Sequence, residues 1–214
     1  MERPSQFREH YKESKYLSCA EVLTGRDFTE YLDALKISSD KLVSPVLDLG
    51  SGKDEIFARG AADLGIKVIS VSPHLLNKKL REERISDSCN HKSDNENPPA
   101  FSALAGELPL KNDSIKTIVS VYSIPTKLPP DYDVFRRVFS EIARVLAPNG
   151  HGYFFPFRVT REPGYKSALE VYSGALPWRI DSLDKIFADL GLEYQLNPIS
   201  DRETYTTNLI ITKK

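Results

Sequence analysis

Cysteine, methionine and tryptophan are scarce, with two, one and one in the chain. Cys19 and Cys89 alone cannot build a disulfide framework, and a structural zinc site would need ligands of other kinds, so free thiols are expected. Cys89 and His91 are two neighbouring donors without partners, so no metal site is expected there. Long apolar runs are missing too. Nothing approaches the roughly 20 apolar residues that cross a bilayer, and Met1-Glu2-Arg3-Pro4-Ser5-Gln6 lacks the apolar segment of a signal peptide. A cytoplasmic location is the expectation. Nor does charge of one sign prevail: 29 Lys and Arg face 30 Asp and Glu, a net charge of -1, which predicts no general attraction to nucleic acid or to an anionic membrane. From Ser86 to Asn97 there is no large apolar residue, so this tract has little to bury. Residues 78–99 read as an exposed polar excursion and a candidate contact for a protein partner.

What the chain does have is alternation. Its 214 residues, 40% hydrophobic and 28% charged, suit one soluble domain over 1–214 with a helical segment at 1–44. In that segment Phe28, Tyr31, Leu32 and Leu35 fall at helical spacing. Val46, Leu47 and Leu49 read as a buried parallel strand, and Gly50 and Gly52 let the backbone turn sharply into a helix that carries Asp54, Ile56, Phe57, Ala61 and Leu64 up to Gly65. Lys67 to Ser72, Phe101 to Leu104, Ile115 to Tyr122 and Gly152 to Phe155 are further strands. Asp131 caps the clearest helix, whose stripe of Phe135, Val138, Phe139, Ile142, Val145 and Leu146 ends at Pro148-Asn149-Gly150. Asp181-Ser182-Leu183-Asp184 resembles a capping box opening a helix through Ile186, Phe187 and Leu190, and Leu192 to Leu196 should pair antiparallel with Thr206 to Thr212. The sum is an α/β, Rossmann-like sheet of about seven strands, mostly parallel with an antiparallel C-terminal strand, and helices on both faces.

Strand, glycine turn and helix together present helix N-terminal amides to a ligand at the carboxyl edge of a parallel sheet. Asp48 sharpens that reading, because an acid in a buried strand needs hydrogen-bond donors, and the backbone amides of Gly50 to Lys53 can supply them. Other groups expected near the same edge are Tyr122, Ser123 and Arg158, with His10, Tyr11 and Tyr165 from flanking segments. None carries a motif that makes it catalytic. His151 precedes the fifth strand at the opposite edge and reads as an ordinary loop histidine.

Four segments together resemble the class I methyltransferases that use S-adenosylmethionine, most closely the type 11 group. Val46 to Gly52 looks like that family's first motif. Gly106 to Ser120 is similar to its loop and fourth strand, and Ser140-Glu141-Ile142-Ala143-Arg144-Val145-Leu146-Ala147-Pro148-Asn149-Gly150 to the segment before its fifth strand. The closing helix and strand pair fit its antiparallel last strand. The resemblance implies S-adenosylmethionine as cofactor, held by Asp48, Gly50, Ser51, Gly52, Ser72, Leu104, Gly106, Glu107, Leu108, Val121 and Tyr122. It also implies methyl transfer to a small-molecule or protein acceptor. Catalytic residues are not identified, Tyr11, Tyr122 and Arg158 being the weak candidates. Several positions depart from the family pattern. Ser72 stands where an acid usually accepts the ribose hydroxyls, Leu104 where an Asp takes the adenine amino group, Asp54 where the loop has its third glycine, and Lys116 where the fourth strand often begins with an acid. These departures carry a second reading, a catalytically degenerate methyltransferase fold serving as a binding or regulatory module. After Ser120 the run Val121-Tyr122-Ser123-Ile124-Pro125 lacks the asparagine-proline-proline-aromatic motif of many DNA and amide methyltransferases, which argues against methylation of a base amino group.

Overall fold

The computed structural model describes residues 28–52, 55–72, 99–128, 131–160, 178–198 and 204–214. The expected excursion at 78–99 and the first 27 residues of the helical segment fall outside these, apart from Pro99. In chain order the elements are α1 (Phe28–Leu35), β1 (Val46–Leu49), α2 (Ile56–Ala62), β2 (Val68–Val71), β3 (Ala100–Phe101), β4 (Ile115–Val121), α3 (Tyr132–Val145), β5 (Leu146–Thr160), β6 (Trp178–Arg179), α4 (Ile180–Asp189), β7 (Leu192–Pro198) and β8 (Thr204–Lys213). One sheet collects all eight strands in the order β3-β2-β1-β4-β5-β8-β7, with β6 pairing β5 off that path. The pairs from β3 through β5 are parallel, whereas β8 runs antiparallel to both β5 and β7.

Strand periodicity divides the interior into two cores. Leu47, Leu49, Ile118 and Phe154 join Phe135, Phe139 and Ile142 of α3 and Phe187 of α4 on one face. Val46, Val68 and Val119 turn to the other face and meet Tyr31 and Leu35 of α1 and Phe57 of α2. Helix α1 lies tight on α2: Phe28 and Tyr31 stack on Phe57 with ring centroids 5.4 and 4.6 Å away. Gly60 permits this approach, since a Cβ there would come within 2.6 Å of Phe28 Cβ. At its far end the Leu35 carbonyl accepts from Asn208 Nδ2 at 2.8 Å. Helix α3 is capped as its sequence predicts, Asp131 Oδ1 accepting from the amides of Asp133 and Val134 at 2.8 and 3.4 Å.

Several boundaries differ from the sequence expectations. Strand β3 ends at Phe101 rather than Leu104, because its partner β2 offers only Ser70 and Val71. Leu64 lies past the end of α2 and is exposed, so it is not part of the buried stripe. Helix α3 stops at Val145, and β5 starts at once; Pro148 and Asn149 sit in an exposed irregularity where the register with β4 shifts and Asn149 takes φ 59°. Gly150 fits this kink because a Cβ would meet the Ala147 carbonyl at 2.8 Å. Helix α4 opens at Ile180 without the expected side-chain cap, since Trp178 and Arg179 pair with Val159 and Thr160 as β6 and leave no capping turn.

Candidate functional site

At the carboxyl ends of β1 and β4 the chain turns at Gly50 and Tyr122, and Ser72 directly follows β2. Gly50 and Gly52 have φ of 85° and 72°, a region that residues with a Cβ enter only with strain. The amides of Gly50 and Ser51 both donate to the Val71 carbonyl, at 2.8 and 3.2 Å. Part of the run expected to serve a ligand thus anchors the turn to β2 instead. Ser120 Oγ fastens the other side, donating to the Leu49 carbonyl at 2.8 Å and accepting from the Ile124 amide at 2.9 Å. The two glycines then part company. A Cβ on Gly50 would fall 1.9 Å from Ser123 Oγ, whereas one on Gly52 would meet nothing within 4 Å among the described residues. Gly50 is needed for packing, while Gly52 borders open space.

Asp48 is fully buried. The glycine loop does not supply the donor its sequence context suggests; Tyr31 does, its hydroxyl donating to Oδ1 at 3.3 Å from α1. Among the described residues Oδ2 has no partner, nor do the buried Oγ atoms of Ser51 and Ser70, the latter being the register neighbour of Asp48 on β2. Burial pushes the Asp48 carboxyl up to about 7; the Tyr31 hydrogen bond opposes that shift, and the like charge of Glu55 adds to it. Glu55 is itself 4% exposed and adopts φ 51° ahead of α2. An orphaned carboxylate oxygen costs free energy unless a donor reaches it, and a cationic donor satisfies it best. The buried acid, its neighbouring hydroxyls and the open side of Gly52 therefore fit a ligand that carries an ammonium group.

Across the sheet from that acid, Ser72 is 1% exposed and Ser102 has a buried Oγ without a partner. Leu104 is buried and closes a turn, its carbonyl accepting from the Glu107 amide at 2.9 Å. Gly106 and Leu108 are buried as well. Glu107 pairs with Arg137 at 2.7 Å. Arg144 grips the whole loop from α3. Its Nη2 donates to the Leu108 carbonyl and its Nη1 to the Leu110 carbonyl and Asn112 Oδ1, while Nε and Nη2 hold Glu141, all within 2.9 Å. Glu141 Oε2 in turn accepts from the Leu108 amide at 3.0 Å. Burial works to raise the Glu141 carboxyl, but Arg144 and the Leu108 amide outweigh it and hold the group below its ordinary value.

Val121 is buried, and Tyr122 after it has φ 55°, with its amide donating to the Phe155 carbonyl at 2.6 Å and its ring edge-on to Phe155 at 5.4 Å. Val121 pairs with Phe155 in register, so Arg158 lies farther along β5, beyond the same carboxyl edge. Tyr122 and Arg158 therefore share the edge of the sheet with the glycine turn. Tyr11, His10 and Tyr165 lie outside the described residues. His151 is not the loop residue expected before the fifth strand: β5 starts at Leu146, so His151 lies within it, paired with Thr117 of β4 and Thr212 of β8 and 3.0 Å from Thr212 Oγ1, away from the carboxyl edge. Sequence reasoning passed over Tyr31 and Glu55. A signal for Tyr31 was present: a buried acid calls for a donor, and Tyr31 is the hydroxyl in an otherwise apolar helical stripe.

No protein-family model matches the sequence, and no curated protein matches it either. Solved structures do share its shape. Magnesium protoporphyrin IX methyltransferase from Synechocystis PCC 6803 with bound SAH has a TM-score of 0.59 and 13% identity, over 99% of this chain and 100% of that one. A SAM-dependent methyltransferase from Methanosarcina mazei has a TM-score of 0.54 and 16% identity, over 78% and 91%. A (4+2)-cyclase is similar to the same degree, with a TM-score of 0.56 and 16% identity over 78% and 73%, so the shape also serves other chemistry. Sheet order, the antiparallel β8, the glycine turn after β1 and these likenesses together show that the chain has the Rossmann-like fold of the class I methyltransferases.

Proposed function

We propose that this protein binds S-adenosylmethionine at the glycine turn and transfers its methyl group to a small-molecule or protein acceptor. The observation that carries the reading is the Asp48 carboxylate, whose Oδ2 is buried without a partner among the described residues, just before a glycine turn where those residues leave open space at Gly52. In this reading Asp48 accepts from the cofactor's ammonium group, and Ser51 and Gly52 lie along its methionine portion. Ser72 and Ser102 offer hydroxyls toward the ribose, and Leu104, Gly106, Glu107 and Leu108 frame the adenine. Val121 and Tyr122 border the sulfonium. When bound, the cofactor supplies an electrophilic methyl group on a positively charged sulfur. The chain's own part is to hold the acceptor in line with that methyl and to exclude water. Tyr122, Arg158 and Tyr11 are the proposed acceptor-orienting groups, and the reading places the protein in the cytoplasm.

Calorimetric titration with S-adenosylmethionine and S-adenosylhomocysteine tests the reading. Binding by the wild type is expected, together with a loss of about tenfold or more in affinity for Gly52→Ala, whose methyl group would intrude on the open side of the turn. Positive φ alone should cost that variant only about 1 kcal/mol of stability. No heat of binding at millimolar cofactor would overturn the assignment and leave the chain as a binding or regulatory module.

A further inference from the structure

Tyr31 is more than a packing residue. Its ring belongs to the α1–α2 interface, stacked on Phe57, and a phenylalanine would fill that place equally well. The hydroxyl instead crosses to β1 and donates to Asp48 Oδ1. The two carboxylate oxygens thus differ: one is held by α1, and the other is buried with no partner among the described residues. Among the described residues, the charged or titratable groups that face Asp48 are Tyr31 from α1 and Glu55 from the turn before α2. The register neighbours, Ser70 of β2 and Val119 of β4, carry no charge.

We propose that Tyr31 is a positioning residue of the cofactor site, which fixes Asp48 through Oδ1 so that Oδ2 is presented to the ligand's ammonium group, and which thereby couples helix α1 to occupancy of the glycine turn. This rests on the S-adenosylmethionine site proposed above. Two consequences follow from charge. Burial and Glu55 oppose ionisation of Asp48, and the Tyr31 bond favours it. Binding of an ammonium-bearing ligand should therefore strengthen as pH rises through the Asp48 titration, and removing the hydroxyl should move that rise to higher pH. A ligand that lacks the amino-acid end should be indifferent to both changes.

The test titrates wild type and Tyr31→Phe with S-adenosylhomocysteine and with 5′-methylthioadenosine between about pH 6 and about pH 8.5. Tyr31→Phe is expected to bind S-adenosylhomocysteine about tenfold more weakly near neutral pH, with the difference narrowing but not vanishing at the alkaline end, and to bind 5′-methylthioadenosine as the wild type does. In an Asp48→Asn background the same substitution should have no further effect, and this pair decides the matter if Tyr31→Phe alone melts early. An unchanged pH profile for S-adenosylhomocysteine would overturn the inference while leaving the cofactor site intact. Equal losses for both ligands would overturn it too, because they would mark a general loosening of the fold. Failure of the wild type to bind either ligand would overturn the cofactor assignment and the inference together.

Discussion

The carboxyl end of β1 and β2 and the α3 side of the sheet are built on opposite terms. Around the glycine turn, Asp48, Ser51, Ser70 and Ser102 each keep a buried polar atom without a partner among the described residues. On the α3 side Arg144 directs all its side-chain nitrogens to acceptors, which are Glu141, the Leu108 and Leu110 carbonyls and Asn112 Oδ1, and Glu141 in turn takes the Leu108 amide. The same contrast holds for packing. Phe139 touches Phe135, Phe154 and Phe187 with ring centroids 4.3 to 5.5 Å away, all four rings being fully or almost fully buried. Buried polar groups are normally satisfied, and clusters of exceptions gather where a ligand supplies the missing partner. One half of the molecule thus stabilises the fold, and the other half retains the unmet hydrogen-bonding capacity that binding requires.

The largest effect should come from the stabilising half. Phe139→Ala empties the centre of the aromatic cluster and is expected to cost about 4–5 kcal/mol, read as a lower urea midpoint. Ligand affinity of the folded fraction should stay near wild type; a selective loss of affinity would break the division between the halves.

The glycine-turn half should show itself through pH. The Asp48 carboxyl titrates at about 7 in the folded protein against 3.8 for the free group, so between those values the folded state holds a proton that the unfolded state has released. Stability therefore falls as pH rises from about 4 to about 7, by at most about 4 kcal/mol, and levels off above that range. Asp48→Asn has no such proton to lose, and the difference between the wild-type and Asp48→Asn stability curves should trace this fall. A difference that stays constant across the interval would mean that Asp48 is solvated and that its end of the sheet is no less satisfied than the other.

The smallest of these effects concerns the loop between the halves. Arg144→Ala strips donors from the Leu108 and Leu110 carbonyls and leaves Glu141 with the Leu108 amide but without its ion-pair partner, for an expected loss of about 2 kcal/mol. Because the loop carries Leu104 to Leu108, affinity for 5′-methylthioadenosine should fall along with stability. A stability loss with unchanged affinity would show that the clamp serves the fold alone.

Much of this architecture is legible in the sequence because periodicity and capping are local. The strand at Val46, the stripe of α3 with its Asp131 cap and the antiparallel pair at the C-terminus each follow from side chains a few positions apart. Leu104 and Glu107, expected from the resemblance to contact the cofactor, also have surroundings that local pattern leaves out. Leu104 turns out to be buried in a turn, and Glu107 is drawn to Arg137 on α3. Neither fact is encoded in the residues beside them.

The sequence by itself determined the order of elements, the class of sheet and the place of the glycine turn, since each depends on short-range pattern and backbone freedom. Only the tertiary structure decided how the turn is furnished. Tyr31 reaches Asp48 from another element, Ser123 occupies the space over Gly50 while the space over Gly52 stays open, and Val71 takes up the first two loop amides. These contacts depend on how helices dock on the sheet and how neighbouring strands set their register, and residues distant in the chain acquire a shared chemistry only when packing brings them together.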